Sequence, residues 1–329
     1  MVETMRWLLE GLPWVEYRTR VDVLGESESA PAVRSARERM LAHPQLRSLL
    51  DEVSRWPWPS LKRHNDAAHP VHKLVFLADL GLRAGDAEAD AIAVRLLEQA
   101  APEGAFQVVV NVHPRYGGTG TDQWAWALCD APSILYALAR MGFQGDSRVQ
   151  GAARHLAGLL RENGWPCAVS ASMGKFRGPG RKGDPCPYAT LVCLKALAEL
   201  PGWRESDACR IGAEALLRLW ETRKARKPYL FGMGTDFAKL KAPLIWYDIL
   251  HLLEVLTRFA WLRDDPRLQE MLARVEAKAD DQGRFTPESV YRAWSDWDFG
   301  QKREPSPGLT LLAARTLRRT RQGADDETR

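Results

Sequence analysis

No stretch of about 18 consecutive apolar residues, the length that crosses a bilayer, occurs in this 329-residue sequence. The longest candidate, 243–262, is interrupted by Asp248, His251, Glu254 and Arg258, so no membrane span is expected and only peripheral association stays open. The start, Met1 to Leu9, lacks a basic segment followed by an apolar one, so no export leader is expected and the chain reads as cytoplasmic. Five Cys, an odd number with no CxxC spacing, fit reduced thiols better than a disulfide framework. An excess of one charge is also missing. Lys and Arg number 46 against 42 Asp and Glu, too even a balance for a dedicated nucleic-acid binder, so no nucleic-acid partner is expected.

What is present is enough apolar material, 45% of residues, to bury a large core, with 27% charged residues to keep the surface wet. Thirteen Trp either fill that core or line a wide interior. Proline gives the organisation. Pro70, Pro132, Pro187, Pro243 and Pro307, spaced 55 to 64 residues apart, each precede an apolar run. Proline suits a first helical turn, where its missing N–H leaves nothing unpaired. The runs 71–82, 133–141, 188–200, 244–262 and 308–317 therefore read as buried inner helices.

Between them, 87–99, 147–161, 206–222 and 266–279 have one apolar and one charged face and read as outer helices. Gly-aromatic breaks follow three of these or their counterparts: Gly104-Ala105-Phe106, Gly164-Trp165 and Gly283-Arg284-Phe285. Repeated helix pairs at this period imply stacked units closing into a barrel. The expected fold is all-α, an α/α toroid over 60–318, with a helical N-terminal extension over 1–59 and a frayed tail over 319–329. Only Gln107–Val112 resembles a strand, and it also reads as a loop.

The alternation of inner and outer helices with breaks such as Gly164-Trp165 resembles the prenyltransferase and squalene-cyclase repeat. That resemblance, over about residues 60–318, implies a toroid around a central cavity and an enzyme that cyclises polyprenyl chains or transfers prenyl groups from diphosphates. The catalytic signatures do not match. The acidic Asp-x-Asp-Asp run is absent, and Asp264-Asp265 precedes Pro266 as a helix cap would. Lyases and glycosidases also use α/α toroids.

Equivalent inner helices would gather their first turns at one end of the barrel. Residues around those turns are His64, His69, His72, Cys129, Asp130, Asp184, Cys186, Lys239, Lys241, Asp248, Lys302 and Ser306. Cys129, Cys167 and Cys186 then meet and could bind zinc or another divalent ion, with Asp130, His113 or His72 as fourth ligand, or be ordinary buried thiols, or have a catalytic or redox role. Lys175, Arg177, Arg181 and Lys182, in a glycine-rich loop before Pro187, could bind an anionic group such as a diphosphate, or simply be solvated. A second glycine-rich loop, 117–122, could act as a lid over the barrel. Asp130, Asp248 and His251 are the candidate catalytic proton carriers, with capping as the alternative for Asp130. Trp124, Trp126, Trp246, Tyr247, Trp294 and Trp297 are the candidate cavity aromatics. The main reading is prenyl transfer or cyclisation of a small apolar or diphosphate-bearing ligand. The alternatives are a non-catalytic ligand-binding or scaffold toroid and a toroid polysaccharide lyase or hydrolase, the last marked by an open acidic-aromatic groove.

Overall fold

The computed structural model describes residues 2–176, 178, 181–225 and 231–326. Among the described residues there are fourteen α-helices and one sheet of two strands, so the chain is mostly helical. The all-α class of helix pairs expected for an α/α toroid is borne out. In chain order the helices are α1 (Val2–Leu9), α2 (Pro13–Arg18), α3 (Pro31–Ala42), α4 (Pro44–Ser54), α5 (Pro70–Leu80), α6 (Ala87–Leu97), α7 (Ala131–Leu138), α8 (Ser147–Gly158), α9 (Pro187–Ala198), α10 (Pro201–Arg204), α11 (Asp207–Glu221), α12 (Ile249–Leu256), α13 (Pro266–Glu276) and α14 (Pro307–Asp326). By internal packing the chain forms two compact units, Met1–Leu49 with Thr235–Arg329, and Leu50–Gly234.

In the unit 50–234, α7 packs between α5 and α9, and α11 packs on α9. All eight residues of α7 and all twelve of α9 are buried, as inner helices require, whereas α6, α8 and α11 bury one face. Each fully buried leucine of α9, such as Leu191, Leu194 and Leu197, stabilises the unit by about 1.5–3 kcal/mol. Between α6 and α7, β1 (Val108–Val110) pairs antiparallel with β2 (Gln123–Ala125), so part of Gln107–Val112 is a strand.

In the other unit, α12, α13 and α14 pack on one another, and α2 packs on α3. The fully buried Glu254 carboxylate lies 2.9 Å from Arg258, 3.1 Å from Arg315 and 2.9 Å from Arg319, which joins α12 to α14. Four of the five prolines open helices as expected, but Pro243 does not. The helix there starts at Ile249, because Asp248 caps it: its Oδ1 accepts the His251 N–H at 2.9 Å. A capping carboxylate satisfies a first-turn donor, which a proline ring cannot do.

The Gly-aromatic breaks are joints. Gly104, Gly164 and Gly283 have φ of 107°, 110° and 75°, the left-handed region open to glycine. At two of them the joint is built alike. The Trp165 N–H donates to Thr190 Oγ1 at 3.1 Å, and the Cys186 N–H donates to the Trp165 carbonyl at 2.7 Å. Correspondingly, the Phe285 N–H donates to Thr310 Oγ1 at 2.9 Å, and the Ser306 N–H donates to the Phe285 carbonyl at 2.9 Å. Cys186 and Ser306 thus hold the same repeat position. Each caps its inner helix: Cys186 Sγ accepts from the Ala189 N–H at 3.5 Å, and Ser306 Oγ from the Leu309 N–H at 3.1 Å.

Candidate functional site

The first turns of α5, α7 and α9 bring together residues far apart in sequence. Asp130 stands at the N-cap position of α7 but makes no side-chain cap bond. Its φ and ψ of −126° and −50° lie outside the extended region usual for a capping residue. Both oxygens instead face His64 Nδ1, at 3.0 and 2.8 Å. Asp130 is 1% exposed, while His64 keeps 22% of its side chain open to solvent. The backbone of His64 is fixed from α5, where His72 Nε2 donates to the His64 carbonyl at 2.9 Å. Burial pushes His72 down to about 4, so it stays neutral and can make that donation.

On α9, the Cys186 thiol is held below the ordinary thiol value. The largest cause is a hydrogen bond from Cys129, and burial opposes it. The Tyr188 and Ala189 N–H groups and the nearby His64 act in the same direction as Cys129. The donor of the pair, Cys129, is pushed well up by that same bond and by burial. Burial disfavours the His64 imidazolium, but the Asp130 carboxylate and the Cys186 sulfur outweigh it and raise His64 above its usual value. The arrangement is a chain: the Cys129 thiol donates to the Cys186 sulfur, His64 lies near enough to that sulfur to favour its charged form, and His64 Nδ1 is bonded to Asp130. A thiolate at a helix N-terminus beside a protonated His is an activated nucleophile.

Of the residues expected to act, the structure brings Asp130, Cys129 and Cys186 together and sets Cys167 within electrostatic reach of Cys129. Cys167 Sγ accepts the Gly178 N–H at 3.0 Å. Of the three fourth ligands considered for a metal, His72 is committed to the His64 carbonyl, His113 is exposed and accepts from the Arg115 N–H at 3.1 Å, and Asp130 holds His64. Among the described residues no group of three His, Cys, Asp or Glu is arranged to hold a metal ion. Lys175, Arg181 and Lys182 are exposed, and Arg177 lies outside the described residues.

Asp248 and His251 sit in the other unit. Asp248 is 0% exposed, with Lys241 Nζ at 3.9 Å, and burial raises its carboxyl to about 6 against the pull of that lysine. His251 Nδ1 bonds the Trp246 carbonyl at 2.9 Å. The aromatics divide between the two units. In the unit 50–234, Trp124 is exposed and Trp126 donates to Glu103 at 2.6 Å. In the other unit, Tyr247 packs on Phe237, while Trp294 and Trp297 pack on each other, with Trp14 and Phe299 also against Trp297. A cavity of about 600 Å³ in that unit is lined by Met5, Val23, Leu24, Phe285 and Leu317 among others, and by none of the six.

His64 belongs to the residues around the first turns, but the sequence alone assigns it no role. The available signal was its position ahead of an inner helix, shared with Cys129, Asp130 and Cys186.

No protein-family model matches the sequence, and no curated protein matches it. Among solved structures, the chain is similar to an unsaturated glucuronyl hydrolase from Bacillus sp. GL1, responsible for the degradation of glycosaminoglycan. The identity is 14% and the TM-score 0.49, over 93% of this chain and 84% of that one. It is also similar to a protein from Actinoplanes, at 16% identity and a TM-score of 0.42, over 94% of this chain and 90% of that one. These likenesses concern helix arrangement and no reaction. They correct the resemblance to the prenyltransferase and squalene-cyclase repeat: the neighbours are of another kind, and only the α/α architecture is shared. Prenyl transfer and cyclisation fall with it. The packing agrees, since Trp294 and Trp297 are covered by other rings rather than facing a polyprenyl chain.

Proposed function

We propose that the unit 50–234 is a thiol-dependent acyl-transfer enzyme, hydrolytic when water is the acceptor, with Cys186 as nucleophile, His64 as acid and base, and Asp130 as the group that orients His64. The carrying observation is the His64–Asp130 bond at 2.8 Å beside a Cys186 thiol held low. In the reaction the Cys186 thiolate adds to an ester or amide carbonyl, and the alcohol or amine leaves with the proton of His64. Water, deprotonated by His64, then adds to the thioester, and the acid departs as the Cys186 thiolate returns. The repeat supports this role. Ser306 does the same capping in the other unit, so the α9 cap does not require sulfur.

A second reading has one observation in its favour. Asp248, raised to about 6, holds a proton near neutral pH and could act as the general acid of a polysaccharide hydrolase. It ranks second because the Asp248 carboxylate is already engaged, capping its helix at the His251 N–H and facing Lys241 Nζ at 3.9 Å.

One experiment separates them. The protein is offered 4-nitrophenyl acetate and 4-nitrophenyl glucuronide in parallel, with intact-mass and metal analysis. The thiol reading expects a stoichiometric burst of 4-nitrophenol from the ester and an acetyl group on Cys186, both absent in Cys186→Ser. Glucuronide cleavage lost in Asp248→Asn, with no adduct on Cys186, overturns it in favour of the second. Stoichiometric zinc bound through Cys186 also overturns it, since a ligated sulfur is no free nucleophile.

A further inference from the structure

The segments that bear this site carry exposed cations. Lys62 and Arg63 immediately precede His64, and both are exposed. Lys175 precedes Phe176, whose ring lies 6.1 Å from the His64 ring. Arg181 and Lys182 stand a few residues before Cys186, with the Lys182 carbonyl held by Arg161 Nη1 at 2.9 Å. The Lys175 segment is packed in place. A Cβ on Gly117, whose φ is 84°, would stand 3.0 Å from the Lys175 carbonyl, so the two loops touch backbone to backbone. Elsewhere cations are neutralised at close range, as Arg148 is by Asp146 at 2.7 Å and Arg267 by Asp265 at 2.7 Å. Lys62, Arg63, Lys175, Arg181 and Lys182 make no ion pair with any described carboxylate. The nearest acids in sequence are few. The Asp66 carboxylate accepts the Ala68 N–H, Asp130 is taken by His64, and Asp184 follows Gly183.

We infer that the substrate of the Cys186 site is an anion, one that carries a carboxylate or a similar negative group beside its electrophilic carbon. This deepens the thiol reading and rests on it. Five exposed cations without an ion pair lie on the segments that bear His64 and Cys186, and a substrate approaching the partly open His64 would meet their positive potential first. Such a potential concentrates anions and raises their rate of encounter by about tenfold or more at low salt. The raised His64 adds to it.

The test compares two alkylating agents of nearly equal size, anionic iodoacetate and neutral iodoacetamide, on the whole chain, with the adduct mapped by mass spectrometry. The measured quantity is the ratio of their rates at Cys186 divided by the same ratio for free cysteine. The expected value is about ten at low salt, falling toward one at high salt. In the triple variant Lys62→Ala, Lys175→Ala, Lys182→Ala it also falls several-fold. These exposed side chains leave the His64 contribution in place, and an unchanged iodoacetamide rate shows that the variant retains the site. A ratio of one or less in the native protein, with both reagents labelling Cys186, overturns the anion inference alone. A ratio above one that the triple variant leaves unchanged assigns the preference to His64 and overturns the role of these cations. Labelling by iodoacetamide alone likewise overturns the anion inference, and failure of both reagents to label Cys186 overturns the thiol reading itself.

Discussion

At the scale of single residues, the chemistry depends on what each buried polar group faces. Asp130 and Asp248 both stand at N-cap positions, yet they behave differently. Asp248 caps its helix and pays a burial cost, so its carboxyl is raised to about 6. Asp130 leaves its cap bond unmade and bonds His64 instead. The difference was not legible in the sequence, where both read as proton carriers or caps, because it depends on a histidine 66 residues away. Asp248 supplies a prediction whose sign is fixed by linkage. A carboxyl whose folded value is raised binds more protons in the folded state between its unfolded value, near 3.8, and about 6. Its contribution to stability is therefore present below that window and lost as pH rises through it. Asn keeps a capping oxygen without the titration. Urea titrations at pH 4 and pH 7 should show Asp248→Asn gaining about 2–3 kcal/mol relative to the native chain on going to pH 7. A difference that does not change with pH would show that Asp248 is not strained by its burial.

At the scale of elements, most of the architecture was legible. Pro70, Pro132, Pro187 and Pro307 sit in first turns, and the four outer helices fall within a few residues of their expected bounds, because both signals are local. Pro243 misled because a capping carboxylate five residues on defines the helix start more firmly. Helix pairing also explains a glycine in mid-helix. Gly212 lies within α11, where Ala would ordinarily add about 1 kcal/mol of helix stability. A Cβ there would come within 2.6 Å of the Trp165 ring and 3.4 Å of Leu194, so the helix uses the missing side chain to approach the joint. Gly212→Ala should therefore destabilise the protein by about 1–3 kcal/mol in denaturant unfolding, despite the better propensity. A stabilised variant would mean that the Trp165 ring is free to move aside. Since the Trp165 carbonyl holds the Cys186 N–H at 2.7 Å, the same variant is expected to slow alkylation of Cys186.

At the scale of the whole molecule, helix-pair repetition was visible in the sequence, but the use made of it was not. The repeat supplies equivalent cap positions, and the chain fills two of them with Cys186 and Ser306 in the same hydrogen-bonded joint. Periodicity identified the positions. It could not say which sulfur would meet an imidazole, since that pairing is made by α5, α7 and α9 packing side by side. It also suggested a prenyl-handling enzyme from architecture alone, and architecture is compatible with many reactions. Among the described residues no helix is long and apolar enough to cross a membrane, as expected. The central claim is that Cys186 is a thiolate sustained by His64 and Asp130, and the pH dependence of its alkylation by iodoacetamide tests it most directly. The predicted rate at Cys186 reaches half its plateau at a pH below about 8.5, the ordinary thiol value, and Asp130→Asn moves that midpoint upward. A midpoint at or above the ordinary value, or one that Asp130→Asn leaves in place, would contradict the account.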